Sequence, residues 1–119
     1  MTDQTAFRVT GVDGGAAVIA IVGELTRLSE KQLEEAFREA YDLKASRVIL
    51  DFGGLAYMNS NGIGLLVKQL AAATQRKARI QAAGLSDHYR RIFDVTRLDE
   101  GIAVFGTVAE ALAANDDAD

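Results

Sequence analysis

The chain has 119 residues, of which 49% are hydrophobic and 25% charged, and these values are ordinary for one globular domain. The 13 Lys and Arg residues against 17 Asp and Glu give a formal net charge of −4, the reverse of the basic surface that nucleic-acid binding requires. Cysteine is absent, which excludes disulfides, cysteine-ligated metals and a cysteine nucleophile. Because the apolar runs are too short to span a bilayer and residues 1–9 lack an apolar signal core, we expect a soluble cytoplasmic protein without membrane insertion.

The first part of the chain predicts a hairpin followed by a helix. Phe7–Val12 alternates loosely and leads into the turn residues 13–15, so we expect it to pair with the apolar run Ala16–Val22. That run is apolar on both faces, which is typical of an interior strand. Ser29 stands at an N-cap position, and the apolar residues after it recur with helical spacing, which predicts a helix over 29–43.

The middle of the chain predicts a strand, a helix and a second strand. Val48–Phe52 is apolar and is followed by glycines at 53 and 54, so this strand should end there. The polar cluster Asn59–Gly62 precedes a run with helical spacing and therefore sits where a helix begins. Ala78–Ala83 returns to strand character.

The last third predicts two more helices around a short strand. Ser86 can cap a short helix, Ile102–Phe105 is a strand by composition, and Thr107 can cap a final helix. The acidic end 115–119 is expected to fray. Strands that alternate with helices favour right-handed crossovers, so the sequence predicts one α/β domain over 1–119. We expect a mainly parallel sheet, an N-terminal antiparallel strand pair and about four helices.

Ser60 is the most informative single residue. It lies between two asparagines where a helix begins, so its hydroxyl has two uses. One is to cap the helix, which contributes about 1 kcal/mol and is the commoner role of a serine at such a position. The other is to accept a phosphate, because a helix N-terminus attracts anions and a phosphate carries roughly −1.5 to −2 charges.

The segment Leu50–Val67, with the letters LDFGGLAYMNSNGIGLLV, resembles the STAS domain of bacterial anti-sigma factor antagonists. The family pattern is an apolar strand ending in Asp, a short stretch to an apolar pair, and then D-S-S-G-[LI]-G at the start of a helix. Further similarity lies in Val22–Leu25, in Leu85-Ser86 and in Ile92–Leu98, in the family's order. The resemblance implies the STAS fold for almost the whole chain.

The resemblance also implies a partner switch, in which the unmodified antagonist binds an anti-sigma factor that is also a serine kinase, and phosphorylation ends the binding. Carried onto this sequence, Ser60 is the phosphoacceptor. A serine phosphatase is a further candidate partner, whereas no direct contact with nucleic acid, no enzymatic activity, no cofactor and no metal ion are expected. The residues expected to bind the partner are Glu24, Leu25, Thr26, Arg27, Asn59, Ser60, Asn61, Gly62 and Ser86.

Three positions depart from the family pattern. Asn59 stands where the family usually has Asp, Asn61 where it often has Ser, and Arg97 in place of the usual glycine. The loss of a carboxylate beside the acceptor could weaken kinase recognition or change the choice of partner. It also keeps open a second function, a STAS subunit of a membrane lipid or anion transport complex that needs no phosphorylation. A small enzyme has the least support, because no nucleophile, base and oxyanion arrangement emerges from the sequence.

Three weaker signals have simpler interpretations. Gly62-Ile63-Gly64 lacks the other residues of a nucleotide-binding loop, so we expect a glycine pair for close helix packing. Asp51 is expected to accept hydrogen bonds from nearby backbone N–H groups rather than to act in catalysis. His88, the sole histidine, is expected at the surface without companions for a metal ion.

Overall fold

A computed structural model describes residues 5–114, so the predicted acidic end 115–119 lies outside the described residues. The strands are β1 (Ala6–Val12), β2 (Ala16–Leu25), β3 (Arg47–Met58), β4 (Arg79–Ala83) and β5 (Ala103–Phe105). The α-helices are α1 (Glu30–Asp42), α2 (Ser60–Gln75), α3 (Asp87–Val95) and α4 (Val108–Ala113). Two 3-10 turns, Arg27–Ser29 and Leu98–Glu100, precede α1 and β5.

The strands form one sheet in the order β1-β2-β3-β4-β5. β1 and β2 are antiparallel, whereas β2, β3, β4 and β5 are parallel neighbours. When each parallel strand is followed by its neighbour through a right-handed crossover, the connecting helices all lie on one face of the sheet. Accordingly α1, α2 and α3 pack on one face, and α4 packs on the other. The predicted fold class is confirmed.

The interior strands β2 and β3 bury side chains on both faces of the sheet. Ile19 and Leu50 lie in the main core with Phe37 of α1 and Leu66 of α2, whereas Ile49 lies in the smaller core under α4. Leu50 and Ile49 separate in this way because successive side chains of a strand point to opposite faces. The nearly continuous apolar runs of the sequence follow from a sheet that is covered on both sides.

Arg47, at the start of β3, holds α4 against the sheet. Its Nη1 donates to the carbonyl oxygens of Ala111 at 3.0 Å and Ala114 at 3.2 Å, and reaches Oε1 of Gln81 at 3.5 Å. The last carbonyls of a helix lack partners within the helix and carry partial negative charge, so a guanidinium stabilises them. Since α4 has only six residues, it depends on such tertiary contacts.

β3 is longer than the sequence predicts. The expected end at residues 53 and 54 is wrong, because the strand continues beside β2 as far as the pair Leu25 and Met58. Register shifts between Ala20 and Val22 and again between Gly23 and Glu24 accommodate extra residues of β3. The two glycines therefore lie at an irregularity within the strand and not at its end.

The helix caps agree in part with the predictions. Ser86 and Thr107 accept hydrogen bonds from the first turns of α3 and α4, as expected. Ser29 occupies the N-cap position of α1 but makes no capping bond, because its hydroxyl bonds to the Thr26 N–H and the Glu24 carbonyl. α1 itself lies within the predicted range 29–43.

Arg97 adopts the left-handed backbone conformation, with φ 62° and ψ 19°. A side chain with a Cβ disfavours this conformation, whereas glycine adopts it freely. The geometry explains why the family pattern has glycine at this position.

Candidate functional site

Ser60 is the first residue of α2, and its side chain is exposed. The cap of the helix is Asn59, whose Oδ1 accepts a hydrogen bond from the Gly62 N–H at 3.0 Å. The interpretation of Ser60 as the helix cap is therefore wrong. Within residues 5–114 the Ser60 hydroxyl has no hydrogen-bond partner, so it has no structural task that a modification would disturb.

Gly62 allows the start of α2 to lie directly against the end of β2. A Cβ at this position would overlap the Leu25 carbonyl oxygen and lie 3.0 Å from Cγ of Met58. The same carbonyl accepts a hydrogen bond from the Asn59 N–H at 3.4 Å. A Cβ on Gly64 would meet nothing within 4 Å, so close packing applies to Gly62 alone. Leu25 and Gly62 are buried and support the site from beneath.

The end of β2 and the turn after it border the start of α2. Thr26 forms a capping box with this turn: its Oγ1 accepts from the Leu28 N–H at 3.2 Å, and its N–H donates to Ser29 Oγ at 3.1 Å. At the carboxyl ends of β2 and β3 the fold thus brings together the partly or fully exposed residues Glu24, Thr26, Arg27, Asn59, Ser60 and Asn61.

Ser86 lies apart from this group. β4 ends at Ala83, which pairs with Asp51, whereas β3 continues to Met58 before the Ser60 turn begins. Ser86 borders a cleft of about 120 Å³ whose lining includes Gly53 and Leu55. It therefore lies beside the middle of the extended part of β3 and not beside Ser60.

Exposed apolar side chains also lie near Ser60, and the predicted partner-binding residues do not include them. Leu28 is 82% exposed in the turn that packs on α2, and Tyr57 is 48% exposed next to Met58. Val67 is 50% exposed, and it lies two helical turns from Ser60 on the same face of α2. Two sequence signals could have revealed Leu28 and Val67. Leu28 is an apolar residue in a polar turn, and Val67 is an apolar residue seven positions after Ser60.

Lys68 is engaged with α1 and not with the start of α2. Its Nζ bonds to the carboxylates of Glu30 at 2.8 Å and Glu34 at 3.1 Å. These hydrogen bonds, first the one to Glu30, raise the pKa of Lys68. Lys68 lies eight residues after Ser60, which corresponds to about 12 Å along a helix. A phosphate on Ser60 therefore gains little from this cation.

Asp51 and His88 have the surroundings expected of a structural and a surface residue. Asp51 accepts a hydrogen bond from the Gly53 N–H at 2.9 Å, as predicted, and His88 is exposed on α3. In the part of the chain that the structure describes, no group of three or more His, Cys, Asp or Glu is placed to hold a metal ion. Over the same range, no helix combines the length and apolar character needed to cross a membrane.

Comparison with known proteins identifies a family model and relatives that match this sequence. A family model described as "Mlab, STAS domain" matches residues 8–109. The anti-sigma-B factor antagonist of Listeria monocytogenes is 31% identical over 87 residues, which cover 72% of this chain and 75% of that protein. The protein of the same name from Staphylococcus aureus is 28% identical over 82 residues, which cover 69% and 76% of the two chains.

Solved structures share the fold. An anti-sigma factor antagonist from Mycobacterium paratuberculosis superposes with a TM-score of 0.78 at 22% identity and covers 98% of both chains. The Bacillus cell fate determinant SpoIIAA in its phosphorylated form gives 0.70 at 24% identity over 90% of this chain and 96% of that one. A sulfate transporter family protein from Wolinella succinogenes gives 0.74 at 18% identity over 87% of each chain. At these identities the matches show the fold alone.

Proposed function

The chain is a STAS domain protein of the bacterial anti-sigma factor antagonist family, and we propose that it binds an anti-sigma factor with serine kinase activity and is switched off by phosphorylation of Ser60. The unmodified chain would occupy the anti-sigma factor and so release a sigma factor. The partner, and not this chain, would bind ATP. On this proposal the chain is a cytoplasmic, non-enzymatic regulator whose state a serine phosphatase would reset.

The exposed hydroxyl of Ser60, which has no hydrogen-bond partner within residues 5–114, is the observation that carries this proposal. It stands at the first position of α2, while Asn59 supplies the cap. A kinase can reach such a hydroxyl without unfolding the helix. The resulting phosphate would lie at a helix N-terminus, where negative charge is favourable.

The same geometry suggests how the modification would end binding. A phosphate adds roughly −1.5 to −2 charges to a surface where Glu24 is already exposed. A partner surface that fits the neutral hydroxyl would have to desolvate this charge, which costs several kcal/mol when no cation compensates it. The switch therefore needs no rearrangement of the fold.

The partner surface that we propose consists of the predicted polar residues and the exposed apolar side chains beside them. Leu28, Tyr57 and Val67 supply apolar area of the kind found at the centre of protein interfaces. Arg27, Asn59 and Asn61 supply polar contacts around Ser60. Ser86 contributes only if the partner extends along β3 to the cleft beside α3.

A STAS subunit of a membrane transport complex is the second candidate. It rests on the structural likeness to the sulfate transporter family protein and on Asn59 in place of the family's Asp. In this case phosphorylation of Ser60 would be dispensable, and the partner would be a membrane assembly.

Mass analysis and pull-downs from the source cells test the proposal. We expect intact-mass and site-mapping measurements to find phosphate on Ser60. Tagged wild type and Ser60→Ala should retain an ATPase of the anti-sigma kinase type, and Ser60→Glu should lose it. Ser46→Glu is the matched control, because Ser46 is also exposed but precedes β3 at the opposite end of the sheet.

Two results would argue against the proposal. Equal retention of the kinase by Ser60→Glu and Ser46→Glu would contradict a switch that acts through charge on Ser60. Retention of membrane transport proteins by every variant, with no phosphate on Ser60, would favour the transport subunit.

A further inference from the structure

Within residues 5–114, the last part of β3 has a neighbouring strand on one side only. β4 pairs with β3 from Arg47 to Asp51, and beyond that point β2 alone of the described strands continues beside it. In a parallel sheet the N–H and C=O of one residue point to the same side of the strand. At the end of β3 the Asn59 N–H reaches the Leu25 carbonyl of β2, so the groups of the preceding residue, Met58, point away from β2.

At Met58, the hydroxyl of Tyr89 forms the backbone hydrogen bonds that a strand on this side of β3 would otherwise form. Tyr89 Oη accepts a hydrogen bond from the Met58 N–H at 2.9 Å and donates to the Met58 carbonyl at 3.5 Å. One side chain of α3 thus engages both backbone groups of the residue. The Tyr89 N–H in turn donates to Ser86 Oγ at 3.3 Å, so the anchor is fixed at the capped start of α3.

Met58 is coupled closely to the start of α2. It is buried, and its Cγ would lie 3.0 Å from a Cβ on Gly62. Asn59, the cap of α2, follows it directly, and Ser60 follows the cap. A shift of the Met58 backbone would therefore move both the cap and the hydroxyl that it presents.

We propose that Tyr89 is a positioning residue for the Ser60 turn, which acts by holding the backbone of Met58 and which links this turn to the start of α3. In this role Tyr89 acts through its contact with the strand end, so its effect on partner binding is indirect. That effect rests on the proposed function, whereas the effect on the geometry of the turn does not.

Removal of one oxygen atom tests this role. Tyr89→Phe keeps the ring and leaves the Met58 N–H without its partner, and Tyr41→Phe is the matched control, because the buried Tyr41 hydroxyl has no hydrogen-bond partner within residues 5–114. In Tyr89→Phe we expect amide hydrogen exchange at residues 58–62 to rise about five- to tenfold, in line with the loss of one buried hydrogen bond. Exchange in the centre of β2 should match that of wild type and of Tyr41→Phe.

The partner arm uses the protein that wild type retains in the pull-down. Its dissociation constant should rise about five- to tenfold with Tyr89→Phe and stay unchanged with Tyr41→Phe. A uniform rise in exchange over the whole sheet, or no rise at 58–62, would overturn the positioning role. A local rise with unchanged affinity would overturn its link to binding. Loss of the proposed function would show separately, as retention of the partner by Ser60→Glu.

Discussion

Gly62 and Gly64 lie two positions apart in α2 but have opposite surroundings. Gly62 is packed against the carbonyl of Leu25, whereas Gly64 faces open space. A sequence pattern of two glycines cannot separate these cases, because the difference comes from where β2 ends in space.

We expect Gly62→Ala to lower the free energy of unfolding by about 2 kcal/mol, because the new methyl group forces α2 away from β2. Gly64→Ala should raise the same free energy by about 0.5 to 1 kcal/mol, because alanine is the better helix former and has room here. Urea unfolding of the two variants measures both effects. Equal effects of the two substitutions would contradict the packing described for Gly62.

Arg97 retains a strained backbone that glycine would relieve. Arg97→Gly should raise the free energy of unfolding by about 0.5 to 1 kcal/mol. The ion pair to Glu100, at 3.7 Å and exposed at both ends, contributes little against this gain. Thermal unfolding checks the prediction against Thr96→Gly, which changes a residue of ordinary conformation and should be destabilising. A lower melting temperature for Arg97→Gly would refute it.

Tyr41 carries a buried hydroxyl that makes no hydrogen bond among the described residues. Tyr41→Phe should therefore leave the free energy of unfolding at pH 7 unchanged or raise it by about 1 kcal/mol, because an unpaired buried hydroxyl carries a desolvation cost. Burial raises the pKa of Tyr41, and the positive charge of Arg76, 3.7 Å from the ring centre, partly opposes this. The folded chain thus holds the phenolic proton more tightly than the unfolded chain does.

This difference predicts an alkaline loss of stability. The contribution of the raised Tyr41 pKa to the free energy of unfolding is complete below the ordinary tyrosine pKa of about 10. It is lost as the pH rises through the raised pKa of the folded state. Wild type should therefore lose stability relative to Tyr41→Phe above pH of about 10. Urea unfolding of both proteins between neutral and alkaline pH measures it, and parallel curves would contradict the assignment.

At the scale of elements, local patterns predicted the existence of the strands and helices better than their ends. The apolar run of β2 and the helical spacing in α1 are local signals. α1 lies within its predicted range, whereas β2 begins where expected but continues past Val22 to Leu25. The extension of β3 to Met58 depends on pairing with β2 and on Tyr89 of α3. Neither partner is close in sequence, so glycines at 53 and 54 suggested an end that long-range pairing overrides.

The docking of α4 is likewise a tertiary contact, and Arg47 can test it. Arg47→Met keeps the aliphatic part of the side chain but removes the hydrogen bonds to Ala111 and Ala114. We expect a loss of about 1 to 3 kcal/mol in the free energy of unfolding, because bonds from a charged donor are lost. The rate of amide exchange should rise more in α4 than in α2.

Arg8→Met, on the exposed side of β1, is the control for Arg47→Met and should change neither quantity. Unchanged exchange in α4 of Arg47→Met would show that the apolar contacts of this helix suffice.

For the whole molecule, the switch that we propose requires a fold that tolerates a charge on Ser60. Ser60→Glu should leave the free energy of unfolding unchanged or raise it by up to about 1 kcal/mol, because the carboxylate lies at the N-terminus of α2. Gln75→Glu, at the other end of the same helix, should lower it slightly. Thermal unfolding compares the two, and unfolding of Ser60→Glu at a lower temperature would mean that its loss of binding reflects instability.

The sequence by itself determined the order of elements, the sheet with one antiparallel pair and the family, and it is the source of the proposal for Ser60. These follow from periodicity, turn residues and a contiguous motif, which are local properties of the chain. Tertiary structure alone decided that Asn59 and not Ser60 caps α2, that β3 runs to Met58 and that Tyr89 holds its end. The end of β3 and its anchor depend on partners distant in sequence, in β2 and α3. The cap is a local bond from Asn59 to Gly62, but its position follows from where β3 ends.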